Sequence, residues 1–138
     1  MYTLHMLNIF PTMFLAQFAH ALLRIVLGGI FIYLGWRHLV RDRAALEAII
    51  RRHWPSVAPY FVKYLGLVEM ALGGLFFVGA WTQVAAVAAM ILSIKMLVLH
   101  RHFAHPSVPP KIFYTLVLGV YLSLFITGAG AIAFDLPL

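Results

Sequence analysis

Hydrophobic and polar positions alternate along this chain in long blocks. Four apolar stretches, at about residues 14–39, 59–80, 82–100 and 111–133, are joined by a long polar connection at 37–58, a very short turn at 79–83 and a basic connection at 100–111. At a rise of roughly 1.5 Å per residue, each apolar stretch can cross about 30 Å of hydrocarbon as an α-helix. In the first, His20, Arg24, Gly28, Phe31 and Gly35 recur at helical spacing and share a face. That face should look into a bundle, because glycine permits close helix contact and lipid does not tolerate a charge. Gly66, Glu69 and Gly73 make a similar face in the second stretch, Ala85, Ala89 and Ser93 in the third, and Gly119, Ser123 and Thr127 in the fourth. The short turn makes the second and third spans antiparallel neighbours. Between spans one and two, Leu39, Leu46, Ile49, Ile50 and His53 follow helical spacing, which predicts a short amphipathic helix on the membrane surface. Trp54-Pro55 and Pro59 end it. The pattern predicts an all-α fold: a single transmembrane domain over residues 1–138, an integral membrane four-helix bundle with a short amphipathic interfacial segment after the first span.

Composition supports that prediction. The chain is 64 % hydrophobic and 10 % charged, with a mean hydropathy of +0.97, against soluble averages of about 45–50 % apolar and 25 % charged. A soluble chain of this length has no room to hide so much apolar surface. With no cysteine, the chain itself can form no disulfide, hold no cluster through thiolates and run no dithiol exchange. The net charge of +6 comes mostly from two connections, which fits membrane orientation or anionic lipid headgroups rather than nucleic acid. No nucleic-acid motif, phosphate loop or HExxH is present. Residues 1–17 carry no Lys or Arg, so the positive region of a signal peptide is missing and the segment is expected to be retained. Five Lys and Arg lie in 37–58 and two in 100–111, with none in the second turn or after Gly128. The basic connections are therefore expected on the cytoplasmic side, with both termini outside.

Two stretches echo each other. RIVLGGIFIYLGW (24–36) and EMALGGLFFVGAW (69–81) share Leu27/Leu72, Gly28/Gly73, Gly29/Gly74, Phe31/Phe76 and Trp36/Trp81 at an offset of 45 residues. Arg24 falls on Glu69, so the two frames carry opposite charges at equivalent places. Four charges lie in or at the edge of the spans: Arg24, Glu69, Lys95 and Asp135. A charge at the bilayer centre costs roughly 2.5–3.5 kcal/mol, so compensation is expected. With Trp36 and Trp81 at opposite interfaces about 30 Å apart, Arg24 and Glu69 would meet near mid-membrane, roughly 6 Å apart along the normal. Lys95 would reach Glu69 from one side, and Asp135 would reach Arg24 from the other. His20, one turn before Arg24, would extend such a centre.

Two readings of this centre stay open: a pocket for a quinone headgroup, small anion or proton path, or an ion-pair network that fixes helix register. His100, His102 and His105, with His38 and His53 on the same side, are weak metal candidates, since their spacing matches no specific site and no carboxylate stands near. Haem would need histidines facing each other across two spans, and only His20 lies within one, so neither haem nor metal is expected. Tyr33, Trp36, Tyr60, Tyr64, Trp81 and Tyr114 are accounted for as an aromatic belt.

LLRIVLGGIFIYLGWRHL (22–39), GLVEMALGGLFFVGAWTQVAA (66–86) and GAGAIAFD (128–135) resemble the landmarks of the DoxX family of small four-span membrane proteins. They are similar to its Leu-Arg-x-x-x-Gly opening, its Glu-x-x-x-Gly-Gly second span with a Thr-x-x-Ala turn, and its terminal Gly-x-Gly motif ending in Asp. Two of these motifs depart from the family pattern. Ala131 and Ala133 stand where Arg and Ser are usual, and His38-Leu39 stands where Lys-Leu is usual. The resemblance implies Arg24, Glu69 and Asp135 as the polar centre, and a link to respiratory and sulfur redox chemistry as a membrane subunit beside a quinone or redox partner. The competing expectations are a non-catalytic anchor or scaffold and a small transporter, the latter requiring a homo-oligomer.

Overall fold

The computed structural model describes residues 12–102 and 105–128. Helix α1 (Thr12–Trp36) runs into a π-helical turn over Arg37–Arg41, followed by α2 (Arg43–Arg51), α3 (Ala58–Val78), α4 (Thr82–Leu99), a 3₁₀ turn at His100–His102 and α5 (Lys111–Thr127). Among the described residues there is no strand. Three helical segments, Leu15–Arg41, Ala58–Val78 and Thr82–His102, are long and apolar enough to span a membrane, and α5 is a shorter apolar helix. The prediction of an all-α membrane bundle therefore holds. The fourth stretch continues past Gly128, outside the described residues.

Local chemistry sets the boundaries. Pro59 occupies the first turn of α3, where its missing N–H is not needed. The helix ends at Gly79, whose φ of 76° lets its N–H reach back to Leu75 O. Trp81 follows with a φ of 51°, rare for a bulky residue, and α4 starts immediately after it. Trp36 and Trp81 are both exposed, as an interfacial belt requires.

The helices pack mainly as two pairs, α1 with α3 and α4 with α5, and the tight α3–α4 turn links the pairs. Glycine makes the first pair possible. A Cβ on Gly28 would lie 2.7 Å from Gly73 O, and one on Gly35 would lie 2.6 Å from Gly66 O, so the two backbones touch at both points. The same contacts show that α1 and α3 are antiparallel. The neighbouring Gly29 and Gly74 face open space, so only the first glycine of each pair is required by packing. The repeated frames thus meet at their own equivalent glycines. Their equivalent phenylalanines, Phe31 and Phe76, both pack on the Tyr121 ring, with centroids 5.7 and 5.4 Å away.

The face expected on α4 is buried at Ala85, Ala89 and Ser93. The face expected on α5 is not. Gly119 and Thr127 are exposed, while Tyr114, Val117, Tyr121 and Leu124 point inward. Small residues are needed where backbones touch, as in α1–α3; α5 instead fills the wider space beside that pair with rings. Its Thr115 and Thr127 hydroxyls donate to carbonyls of their own helix, which lets them face outward fully bonded. Helix α2 is amphipathic as expected, and it buries Leu46 and Ile50 against α3, α4 and α5 in a second core cluster with Val62, Leu65, Met96 and Tyr114.

Candidate functional site: a buried histidine–glutamate pair

Glu69 is completely buried on α3, flanked on its own face by Gly66 and Gly73. Its ion-pair partner is His38, whose Nδ1 lies 2.6 Å from Glu69 Oε2, both side chains fully excluded from solvent. The expected pairing of Glu69 with Arg24 is not formed. The glycine contacts explain why. They set Gly28 opposite the Gly73–Phe77 turn and Gly35 opposite the Gly66–Met70 turn, so Arg24 falls level with about residue 79 and Glu69 with about residue 34. The two are therefore about 15 Å apart along the axis, beyond direct contact for an Arg. Backbone contact fixes this register, and it brings the levels of Trp36 and Trp81 closer together than a full membrane thickness.

A local irregularity delivers His38. The turn at Arg37–Arg41 is π-helical, with Asp42 N–H donating to Arg37 O at 2.8 Å across one more residue than in an α-helix. Such turns are rare and concentrate at functional sites. The other ring nitrogen, His38 Nε2, faces Ser107 O at 3.4 Å. Both ring nitrogens thus face oxygen atoms, so the ring is held from two sides.

The pair leads outward to the connection that carries Ser107. Ser107 N–H donates to His105 Nδ1 at 3.1 Å, and the Ser107 hydroxyl lies 2.5 Å from the same nitrogen. Asp42, bridged to Arg37 at 2.9 Å, lies beside the Ser107 side chain. The polar Ser107 side chain foremost, and then Arg37 and Arg41, hold the Asp42 carboxyl below the usual carboxylate range despite partial burial. One chain of contacts therefore runs from an excluded carboxylate to the rim of the bundle.

The interior also holds polar atoms with no hydrogen-bond partner among the described residues. Glu69 Oε1 itself, Tyr114 OH and Tyr121 OH on α5, and Ser93 Oγ on α4 are all buried in this way. Tyr114 and Tyr121 lie two turns apart on α5, and both are close enough to Glu69 to feel its charge. An unsatisfied buried polar atom costs about 1–3 kcal/mol, so a group of them marks a place where a further polar partner would be bound favourably.

The remaining expected residues separate. Arg24 is wholly buried on α1, apart from Glu69. His20 is half-buried, with Nδ1 2.6 Å from Ala16 O of its own helix. Lys95, expected beside Glu69, is exposed on α4, because Ser93 and Met96 occupy the inward positions around it. Asp135 lies outside the described residues. The weak metal candidates disperse: His100 Nε2 bonds Pro109 O, His102 packs on His53 and Trp54, and His105 holds Ser107. Among the described residues, no three metal-ligating side chains converge.

Sequence reasoning missed His38, Ser107 and the inward tyrosines, although a signal for His38 was present. The face of Arg24, Gly28, Phe31 and Gly35 continues to position 38 at the same spacing, where an ionisable side chain meets the buried Glu69 carboxylate. Tyr114, Val117, Tyr121 and Leu124 likewise form a heptad stripe, stronger than the small-residue spacing beside it.

A glycine-locked helix pair, three spans and a shorter fourth helix define a small multi-pass membrane protein with a buried histidine–glutamate pair in its interior. The DoxX family model matches residues 19–102, and the chain belongs to that family. The match takes in α1 to α4 and both halves of the His38–Glu69 pair, while the GAGAIAFD stretch falls beyond it. No curated protein and no solved structure matches the chain.

Proposed function

We propose that the protein is a membrane subunit of a respiratory or sulfur oxidoreductase, and that the space around His38–Glu69 receives a quinone headgroup. The observation that carries this reading is the buried polar atoms without a partner among the described residues, Glu69 Oε1 and the Tyr114 and Tyr121 hydroxyls, beside a fully excluded His38–Glu69 pair. The donor set fits the group: phenol hydroxyls donate to carbonyl oxygens, and a carboxylate shared with an imidazole can hold or release a proton at Glu69 Oε1. When bound, a quinone supplies two-electron, two-proton carrier chemistry, with electrons exchanged through a redox partner subunit. Tyr114 and Tyr121 would orient the ring, and His38 would pass protons between Glu69 and the Ser107–Asp42 rim. In the bacterial or archaeal inner membrane, with the basic connections cytoplasmic, that rim faces the cytoplasm.

Quinone retention in nanodiscs tests this reading. Tyr121→Phe removes one hydroxyl and keeps the ring, so it should leave thermal stability equal or higher while reducing retention of a short-chain quinone about tenfold, the effect of roughly 1.4 kcal/mol. Glu69→Gln should do the same at the carboxylate. Equal retention by wild type and both variants would assign the pair to architecture and leave an anchor or scaffold.

A further inference from the structure

A second feature lies apart from the buried pair and is independent of its function. Where the end of α2 meets the starts and ends of its neighbours, Ile50, Trp54, Val57, Phe61 and Leu99 line a half-open, almost wholly apolar groove of about 250 Å³. One end of it is strongly basic. Arg51 and Arg52 follow Ile50 directly, and both are exposed. Arg101 lies two residues past Leu99, its Nε 3.3 Å from His102 Nε2. The His102 ring in turn packs on His53 at 4.9 Å and on Trp54 at 5.7 Å between centroids, which brings the α4 terminus and its arginine against the α2 terminus.

The carboxylates of this region are engaged elsewhere: Asp42 pairs with Arg37 and Glu47 with Arg43. Among the described residues no carboxylate pairs with Arg51, Arg52 or Arg101. Three like charges therefore crowd one rim, next to an apolar slot at the end of a membrane helix. An anion at the rim relieves their repulsion, and only an anion carrying a hydrocarbon chain also fills the slot.

We propose that this groove is a binding site for one anionic phospholipid. An acyl chain lies against Trp54, Val57 and Phe61, and the phosphate is held by Arg51, Arg52 and Arg101. The amphipathic α2 would then be fixed to the bilayer by a particular lipid in addition to its general apolar face.

The site predicts selective lipid retention, measurable by native mass spectrometry of the full chain released from nanodiscs of phosphatidylcholine with or without phosphatidylglycerol. The wild type should keep one phosphatidylglycerol per chain in preference to phosphatidylcholine. Retention should fall at least about fivefold in R51Q/R52Q, and equally in Val57→Trp, which fills the slot without touching the charges. All three substituted side chains are exposed, and an unchanged helical circular dichroism spectrum checks the fold. Equal retention of the two lipids would overturn the proposal. So would a loss in R51Q/R52Q with none in Val57→Trp, since that marks diffuse attraction to the headgroup plane. Displacement by millimolar inorganic phosphate would overturn it too, by assigning the rim to a free anion.

Discussion

His38 and Glu69 show how much one pair of side chains can determine in an apolar interior. Both are fully excluded from solvent and 2.6 Å apart, so neither has water to fall back on. Removing one partner of a buried ion pair commonly costs about 3–5 kcal/mol, because the other is left as an uncompensated charge. His38→Ala should therefore lower the thermal midpoint in detergent far more than Lys95→Ala, whose side chain is exposed on α4. Similar shifts for the two would show that Glu69 is neutralised by another route. His38→Gln, which keeps a donor, should recover part of the loss. At this scale the sequence identified Glu69 correctly as an inward residue and misassigned its partner. Charge type made Arg24 the obvious counter-ion, yet depth decides which charges meet, and depth is set by helix register. Tyr114 and Tyr121 were hidden for a related reason: an aromatic near a span end suits an interface and a core equally well until its helical face is known.

Among the elements, the α1–α3 pair is the best determined. Its two contact points place backbone against backbone, so Gly28→Leu or Gly73→Leu must force the helices apart, at a cost of at least about 1–3 kcal/mol by overpacking alone. Gly29→Ala and Gly74→Ala meet open space and should raise stability by up to about 1 kcal/mol each through helix propensity. Thermal unfolding of the four variants side by side checks this, and a loss for Gly29→Ala comparable to that of Gly28→Leu would contradict the register. Most of this pair was legible beforehand, since small residues on a charged face have few uses in a membrane helix other than close contact. The α5 face was misread because the same spacing rule was applied where no backbone contact exists. The π turn had no signature at all: RHLVR is compatible with an ordinary helix, and its wider winding comes from the contacts of His38 and Asp42.

Across the whole molecule, two helix pairs are tied at one end by a polar clasp. Arg37, Asp42 and Ser107 link the exit of α1 to the connection before α5. Because the Asp42 carboxyl is depressed below its unfolded value, its contribution to stability is complete at neutral pH and is lost as pH falls below the usual carboxylate value of about 3.9 and through the folded value. Thermal midpoints measured from pH 7 down to pH 2.5 should show an acid-side decline that is shallower in Asp42→Asn, which starts lower at neutral pH. Parallel curves would remove Asp42 from the clasp. The membrane class and the bundle followed directly from block hydropathy, because lipid permits so few backbone solutions. The clasp did not, since it joins residues nearly seventy positions apart.

The π turn also has a genetic meaning. It holds one residue more than an α-helical turn between the same two bonds, so it is equivalent to a single-codon insertion at the end of α1. Deleting Val40 would remove that extra residue and let an ordinary α-helical turn close in its place, with the segments on either side keeping their facing. Leu46 and Ile50 would stay turned to the core, and Arg51 and Arg52 to the surface. A one-residue length change here is thus absorbed where it occurs, and its effect falls on the turn that carries His38 rather than on the helices around it.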